Sequence, residues 1–312
     1  MKTKVCILSG GDSIEREISL RSAQNLLDNI NKNKYDAYIM KIEKTDSADW
    51  IKSLAEEKPD IVLSTLHGGK GENGSVQGLL ECLGIPYVGS KVTASALGMN
   101  KKVFKELMKY NSIPVAEDIF IKKDEDIELF RQSAENMGYP VIVKPNNGGS
   151  SIGISIAENF EEIKSAADIV RDYDDDILIE RYIKGKEVTC CVTESENGLD
   201  VLPLLEINTG NKFYDFNEKY NDEQRRVELS TMPDFLQTMI KEIAKKVFNI
   251  LDCRGYANVE MIIREEQICV IEINTLPGMT KKSPLPKAAE ILENGFGSFI
   301  ERLIEFEIHN SV

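Results

Sequence analysis

Glu260 stands in the middle of YANVEMII (Tyr256–Ile263), a segment otherwise rich in strand-forming residues, and Asn258 lies two positions before it. Period-two alternation puts both polar side chains on one face of a strand and Val259 on the other. After a turn, ICVIEINTLPGMT carries Glu272 and Asn274, again two apart. Taken singly, each strand reads as one with a solvated polar face. Taken together, they bring the oxygen donors Glu260, Glu272 and Asn274 onto neighbouring strands. Hard oxygen donors of this kind suit Mg2+, which shares its coordination between carboxylates and substrate phosphates.

Two further stretches match that chemistry. VIVK ends an apolar run in Lys144, and NNGGSSIG (Asn146–Gly153) follows it. A lysine among apolar neighbours needs an anionic partner, and a loop of small residues lets backbone N–H groups wrap an anion. A tight linker accounts for the glycines but not for the lysine. The loop is not a Walker A motif, because no GK[ST] follows its glycines. DILIERYIKGKE then supplies Glu180, Ile183 and Glu187. Its backbone can read an adenine edge while Glu187 accepts from ribose hydroxyls; an ordinary strand–turn–strand with solvated acids is the alternative. Lysine, glycine-serine flap and carboxylate-rich strand pair together describe a phosphoryl-transfer site.

The elements that must position these residues alternate along the chain. VCIL (Val5–Leu8) runs into Gly10-Gly11, followed by a helix pattern over Ile18–Ile30, the strand AYIMKI, the helix Trp50–Glu57 and the apolar strand Ile61–Leu66. This β-α-β-α-β order predicts a doubly wound parallel sheet with ligands at the carboxyl ends of its strands. A helix over Ala94–Tyr110 follows, and Pro114 opens a new unit: strand EDIFI, helix Ile127–Met137, strand VIVK, strand ISIA, helix Phe160–Tyr173 and strand DILIERYI. Beyond a joint at Gly185 come the strands EVTCCVTES and VLPLLEI, a polar stretch Asn208–Ser230, a helix Phe235–Leu251 and the two strands around Glu265-Glu266. The polar stretch exceeds ordinary loop length and is expected to work as a lid.

Composition removes several classes. With 42% hydrophobic and 29% charged residues over 312 positions, the chain reads as a soluble globular protein. No apolar run approaches the roughly 20 residues that span a bilayer. The start MKTKVCILSGG is too short in its apolar part for a signal peptide, so a cytosolic location and no membrane partner are expected. Six scattered cysteines form no CxxC pair and fit free thiols in a reducing compartment. A net charge of −14 argues against a nucleic-acid partner.

The succession VIVKP, GGSSIG, LIERYI, KGKEVT, FYDFNEKY and IEINTLPGMT resembles the ATP-grasp enzymes, and among them the D-alanine–D-alanine ligases. LSGGDSIEREISL and LHGGKGENGSVQGLLECLGIPYVGS are similar to that family's first loop and helix and its third strand, loop and helix. The resemblance runs from Val5 to about Ala289. It implies an α/β chain: an N-terminal doubly wound parallel-sheet substrate domain over residues 1–95, then a two-lobed α+β ATP-grasp domain divided into 96–184 and 185–312. The implied reaction joins two D-alanines through an acyl phosphate for the peptidoglycan precursor, with ATP and Mg2+, as two ions replaceable by Mn2+. By the same resemblance Lys101, Lys144, Glu180, Ile183, Glu187 and Lys219 bind ATP, and Ser150-Ser151 lie in the phosphate-covering loop. Glu260, Glu272 and Asn274 are the implied metal ligands. Glu15 holds the first substrate's ammonium beside His67, with Ser150 and Tyr220 as its hydrogen-bonded partners. Gly278 donates to the reacting carbonyl oxygen, and Ser283 binds the second substrate's carboxylate. A homodimer through the N-terminal domain is also implied.

Three positions depart from the family pattern. Asn258 stands where the family has an arginine that contacts the phosphoryl group and developing oxyanion; asparagine donates one hydrogen bond there but brings no charge. Pro284 follows Ser283 in place of leucine, removing an N–H. Glu260 replaces an aspartate. These changes bear on substrate and turnover, and leave two other readings: a related ATP-grasp ligase for different amino or carboxylic acids, and a non-catalytic ATP-binding regulator. The complete Lys144, Glu260, Glu272 and Asn274 set argues against the regulator.

Overall fold

A computed structural model describes residues 2–150, 152–208, 226–291 and 295–310. Three parallel strands, β1 (Thr3–Gly10), β2 (Tyr35–Ile42) and β3 (Ile61–Ser64), form the first sheet in the order β2-β1-β3. Val5 and Ile7 enter one core with Phe296, Phe299 and Leu303 of the helix Gly295–Asn310. Cys6 and Leu8 enter the opposite core with Trp50, Leu54 and Leu80. Burial on both faces is why β1 reads as a continuous apolar run and not as an alternating one.

The second sheet is antiparallel, with β4 (Asp118–Ile121), β5 (Val141–Pro145), β6 (Ser155–Ala157) and β7 (Ile177–Arg181) in the order β4-β7-β5-β6. The helix Phe160–Val170 lays Phe160, Ile163 and Ala167 into a core shared with Val141, Val143 and Ile179. The third sheet takes β8 (Lys186–Ser195), β9 (Gly198–Val201), β10 (Leu205–Asn208), β11 (Arg226–Leu229), β12 (Tyr256–Arg264) and β13 (Gln267–Asn274). Its order is β11-β10-β8-β12-β13, with β9 paired to β8. The helix Asp234–Ile250 covers one face, where Ile240, Ala244 and Val247 share a core with Val192, Val259 and Met261.

Three expectations need correction. The helix expected over Ala94–Tyr110 is two helices, Val92–Met99 and Lys101–Tyr110. Asn100 between them is extended (φ −88°, ψ 97°), and its side chain accepts from the Val103 N–H, capping the second helix. VLPLLEI is not one strand: β9 ends at Val201 and β10 begins at Leu205, because Pro203 has no N–H for the ladder. The polar stretch expected to stay irregular to Ser230 contains β11, paired with β10 from Leu205↔Leu229 to Asn208↔Arg226. Residues 209–225 of it lie outside the described residues, Lys219 and Tyr220 among them. No helix among the described residues is long and apolar enough to cross a membrane.

Candidate active site

The floor of the site is the β12–β13 pair. On β12 the residues Ala257, Val259, Met261 and Ile263 point into the core, leaving Asn258, Glu260 and Ile262 on the other face. Glu260 pairs directly with Glu272, and Asn258 with Asn274. On β13, Ile268 and Val270 are core residues, and strict alternation would carry Glu272 and Asn274 into the same core. The register slips between Glu260 and Met261, so that Ile271 is inserted. Below the slip Ile273 takes the core position, and Glu272 and Asn274 turn to the face shared with Glu260. The bulge re-aims the carboxylate. Asn274 Oδ1 accepts the Leu276 N–H at 2.9 Å and keeps its second lone pair.

Two cavities meet over this floor. The second and third sheets enclose one of them, which Lys144, Glu180, Ile183 and Glu187 line with the apolar walls Ile142, Ile154 and Ile262. The other lies towards the first sheet and is lined by Glu15, His67, Ser150, Asn258, Asn274, Gly278 and Ser283. Lys101, Glu260 and Glu272 line both. Every site residue expected from the sequence therefore gathers here, apart from Ser151, Lys219 and Tyr220, which lie outside the described residues.

In the first cavity Lys144 Nζ lies 2.7 Å from Glu180 Oε2. Burial alone would raise the Glu180 carboxyl, but the ammonium groups of Lys144 and Lys105 pull it down to about 2. Lys101 Nζ is 3.8 Å from Glu272 Oε2 and donates to the Gly148 carbonyl. Burial lowers the pKa of this ammonium, against the pull of Glu272.

The flap after β5 is pinned at its base and reaches across the cavity. The Asn147 N–H donates to Asp174 at 2.6 Å, and the Lys101 N–H donates to the Asn146 carbonyl at 3.1 Å. Ser150 takes a left-handed backbone (φ 56°), and its hydroxyl donates to Glu15 Oε1. Glu15 is buried and immediately precedes the helix Arg16–Asn29, whose N-terminal dipole favours a carboxylate. The Ser13 hydroxyl donates to the His67 carbonyl at 2.6 Å and so joins the loops that follow β1 and β3.

The far wall follows β13. Ser22 accepts the Met279 N–H at 3.1 Å, and Asn25 donates to the Met279 carbonyl at 2.8 Å, tying this segment to the first helix. Ser283 shares a 2.8 Å hydrogen bond with Thr280. A Cβ at Gly278 would stand 2.8 Å from Ser283 Oγ, so only glycine fits without displacing that hydroxyl. Pro284 occupies the first turn of the helix Pro284–Glu290, where its missing N–H removes no helical bond.

Three contributors went unseen in the sequence. Glu72 lines the substrate-side cavity and accepts the Gly68 N–H at 2.9 Å. Burial, with the nearby Glu15 and Glu272 charges, pushes its carboxyl up to about 8. An acid among the glycines after β3 was its only signal. Lys105 is buried four residues after Lys101, on the same helix face. The Ile271 bulge has no sequence signature beyond the clash between alternation and a buried carboxylate.

Among the described residues no three His, Cys, Asp or Glu side chains surround one point. The available set is two carboxylates and an amide, Glu260, Glu272 and Asn274, on one face beside a cavity with two lysines. Such a set fits Mg2+ that takes its remaining oxygens from phosphate and water.

A parallel N-terminal sheet followed by two antiparallel sheets that enclose a lysine-and-carboxylate cleft is the architecture of the ATP-grasp class. The family model for the D-ala D-ala ligase C-terminus matches residues 107–305, and that for the N-terminus matches 4–59 and 48–90. The D-alanine–D-alanine ligase of Syntrophobacter fumaroxidans is 38% identical over 314 residues, 99% of each chain. That of Bacillus anthracis is 34% identical over 302 residues, covering 97% of this chain and 96% of the relative. A crystal structure of a Bacillus anthracis D-alanine–D-alanine ligase complexed with ATP superposes with a TM-score of 0.86 at 30% identity, covering 99% and 98% of the two chains. The chain belongs to the D-alanine–D-alanine ligase family and is a ligase.

Proposed function

We propose that this ligase joins two D-alanines into D-alanyl-D-alanine, cleaving ATP to ADP and phosphate through an acyl phosphate. The observation that carries the reading is the wall common to the two cavities, where Lys101, Glu260 and Glu272 stand with the flap glycines Gly148 and Gly149. A γ-phosphate there faces nucleotide on one side and a carboxylate substrate on the other. The ATP bound by the Bacillus anthracis relative supports the choice of nucleotide.

Adenine lies against Ile142, Ile154 and Ile262, with Glu180, Ile183 and Glu187 along its edge and ribose. Lys144 and Lys101 neutralise phosphate charge, and the flap with Ser150-Ser151 covers the phosphates. Glu260, Glu272 and Asn274 hold Mg2+, which when bound supplies Lewis-acid neutralisation of the phosphate oxygens. Glu15 holds the first D-alanine's ammonium, braced by Ser150 and, in the segment outside the described residues, by Tyr220; His67 flanks it. The substrate carboxylate attacks the γ-phosphorus and the bond to ADP breaks. Ser283 orients the second D-alanine by its carboxylate. Its ammonium loses one proton to solvent, the amine attacks the acyl carbon, and as the C–O bond to phosphate breaks the nitrogen's second proton leaves with the phosphate. The Gly278 N–H donates to the oxygen that gains charge in this step. Asn258 adds a neutral donor there. The lid role expected for Asn208–Ser230, with Lys219 on ATP, falls mostly on residues outside those described.

In this reading residues 1–95 hold the first substrate, 96–184 hold nucleotide, and 185–312 carry the metal and catalytic groups. The product feeds peptidoglycan synthesis in the cytoplasm, and the protein is a homodimer through its N-terminal domain. A second reading, a different second substrate, rests on Asn258 alone: it is 3% exposed, lines the substrate-side cavity and brings no charge there. The test is ADP release across D- and L-amino acids, singly and in pairs, with products identified by mass spectrometry. Turnover with D-alanine alone giving the dipeptide supports the first reading. Turnover only with a mixed pair selects the second.

A further inference from the structure

Five side chains of alternating charge run from the surface to the nucleotide cavity. Lys109 pairs with Asp118, and Asp118 Oδ1 is 3.6 Å from Lys105 Nζ. Lys105 Nζ is 2.8 Å from Glu180 Oε1, and Glu180 Oε2 is 2.7 Å from Lys144 Nζ. Lys109 is the solvent end of this chain, and Glu180 and Lys144 are its cavity end. Lys144 lines the cavity, whereas Lys105 lines neither cavity and its side chain is 2% exposed.

Lys105 therefore touches no substrate, yet it shares the carboxylate that holds Lys144. Each oxygen of Glu180 serves one ammonium. We propose that Lys105 is a positioning residue: it keeps Glu180 paired, so that Lys144 can exchange its carboxylate partner for a phosphate of the nucleotide. This rests on the assignment of Lys144 to phosphate binding made above. When phosphate enters, Lys144 must turn from Glu180. A buried carboxylate left without a counter-charge is strongly unfavourable. With Lys105 in place Glu180 keeps one ammonium throughout. The Ala116 carbonyl, accepting at 2.8 Å, and Asp118 hold the Lys105 side chain in position. Without Lys105, Lys144 is the one ion-pair partner left to Glu180 among the described residues, and nucleotide binding has to break that buried pair.

The test is a double-mutant cycle on the full chain, using Lys105→Met, Lys105→Arg, Glu180→Gln and Lys105→Met/Glu180→Gln. The readouts are ADP affinity by calorimetry in Mg2+, KM for ATP, kcat and Tm. Lys105→Met is expected to weaken ADP binding and raise KM for ATP by about tenfold or more, with kcat kept within about threefold. Lys105→Arg restores most of the affinity, because the charge returns. In the Glu180→Gln background the effect of Lys105→Met disappears, since no carboxylate remains for Lys144 to be trapped on. A loss of affinity in the double variant equal to the product of the single losses overturns the proposal. So does a lowered Tm with unchanged KM for ATP. Should Lys105→Met fail to fold, the double variant against Glu180→Gln decides: weaker ADP binding in the double overturns the idea. Lys144→Met separates the two levels. Unchanged ADP and ATP affinity there refutes the phosphate assignment itself, whereas weakened binding there with a normal Lys105→Met refutes only the role of Lys105.

Discussion

Replacing Asn258 by arginine is the most informative single change at the site. Asn258 is 3% exposed, and its Oδ1 is buried with no hydrogen-bond partner among the described residues. The cavity it lines carries Glu15, Glu72, Glu260 and Glu272 but, among its described lining residues, Lys101 as its one lysine and no arginine. In the proposed reaction, acyl phosphate formation would use groups already present: Lys144, Lys101 and the flap. Collapse to dipeptide puts negative charge on the former carbonyl oxygen, where a neutral amide stabilises less than a guanidinium. One such donor is worth ~2.7–4 kcal/mol, or about 10²–10³ in rate. Asn258→Arg should therefore speed dipeptide formation from D-alanine towards that factor and leave acyl phosphate formation near its original rate. Single-turnover quench-flow would follow ADP, hydroxylamine-trapped acyl hydroxamate and dipeptide together. The reasoning is refuted if wild type accumulates no trappable intermediate and the variant only slows dipeptide release. Asparagine would then be the better-adapted residue.

Glu272→Gln should abolish ADP formation with Tm nearly unchanged, because it removes one charge from the oxygen set without leaving a cavity; near-normal turnover at low millimolar Mg2+ would remove Glu272 from that set. Ser150→Ala takes away the hydroxyl that donates to Glu15, a bond to a charged group worth about 1.5–3 kcal/mol, so KM for the first D-alanine should rise by about ten- to a hundredfold. An unchanged KM would leave the flap no part in closing that pocket. Because the Glu180 carboxyl is held down at about 2 against an ordinary 4.5, the stability it contributes is fully present above pH 4.5 and is lost as pH falls through about 2. Denaturant titrations from pH 6 to 2 should show a shallower acid dependence in Glu180→Gln than in wild type, and parallel curves would contradict the buried ion pairs.

The sequence was legible where pattern and chemistry agreed. Apolar runs such as VCIL and IVLS give the doubly wound sheet because both their faces are buried, and Lys144 stands out because nothing around it can solvate a charge. Asn258 and Glu260 could be placed on one face from alternation alone. Glu272 and Asn274 could be put on one face in the same way, but that this face is the one shared with Glu260 depends on the Ile271 bulge, a backbone event with no composition signal. The break at Asn100 was hidden because its flanks both have helical patterns; its side chain caps the second helix at Val103 and is held by Asn146, 46 positions further on. Lys105 looked like an ordinary helix lysine until Glu180 and Asp118, 75 and 13 positions further on, were found around it.

The acyl phosphate is tested most directly by following oxygen. D-alanine labelled with 18O in its carboxylate is turned over with ATP, and the phosphate released is read by mass spectrometry or by the 31P isotope shift. If a substrate carboxylate attacks the γ-phosphate in the cavity wall shared by Lys101, Glu260 and Glu272, one 18O per turnover leaves in inorganic phosphate and the dipeptide keeps the remainder of that label in its peptide carbonyl. Phosphate released without 18O, alongside dipeptide formation, would contradict the account.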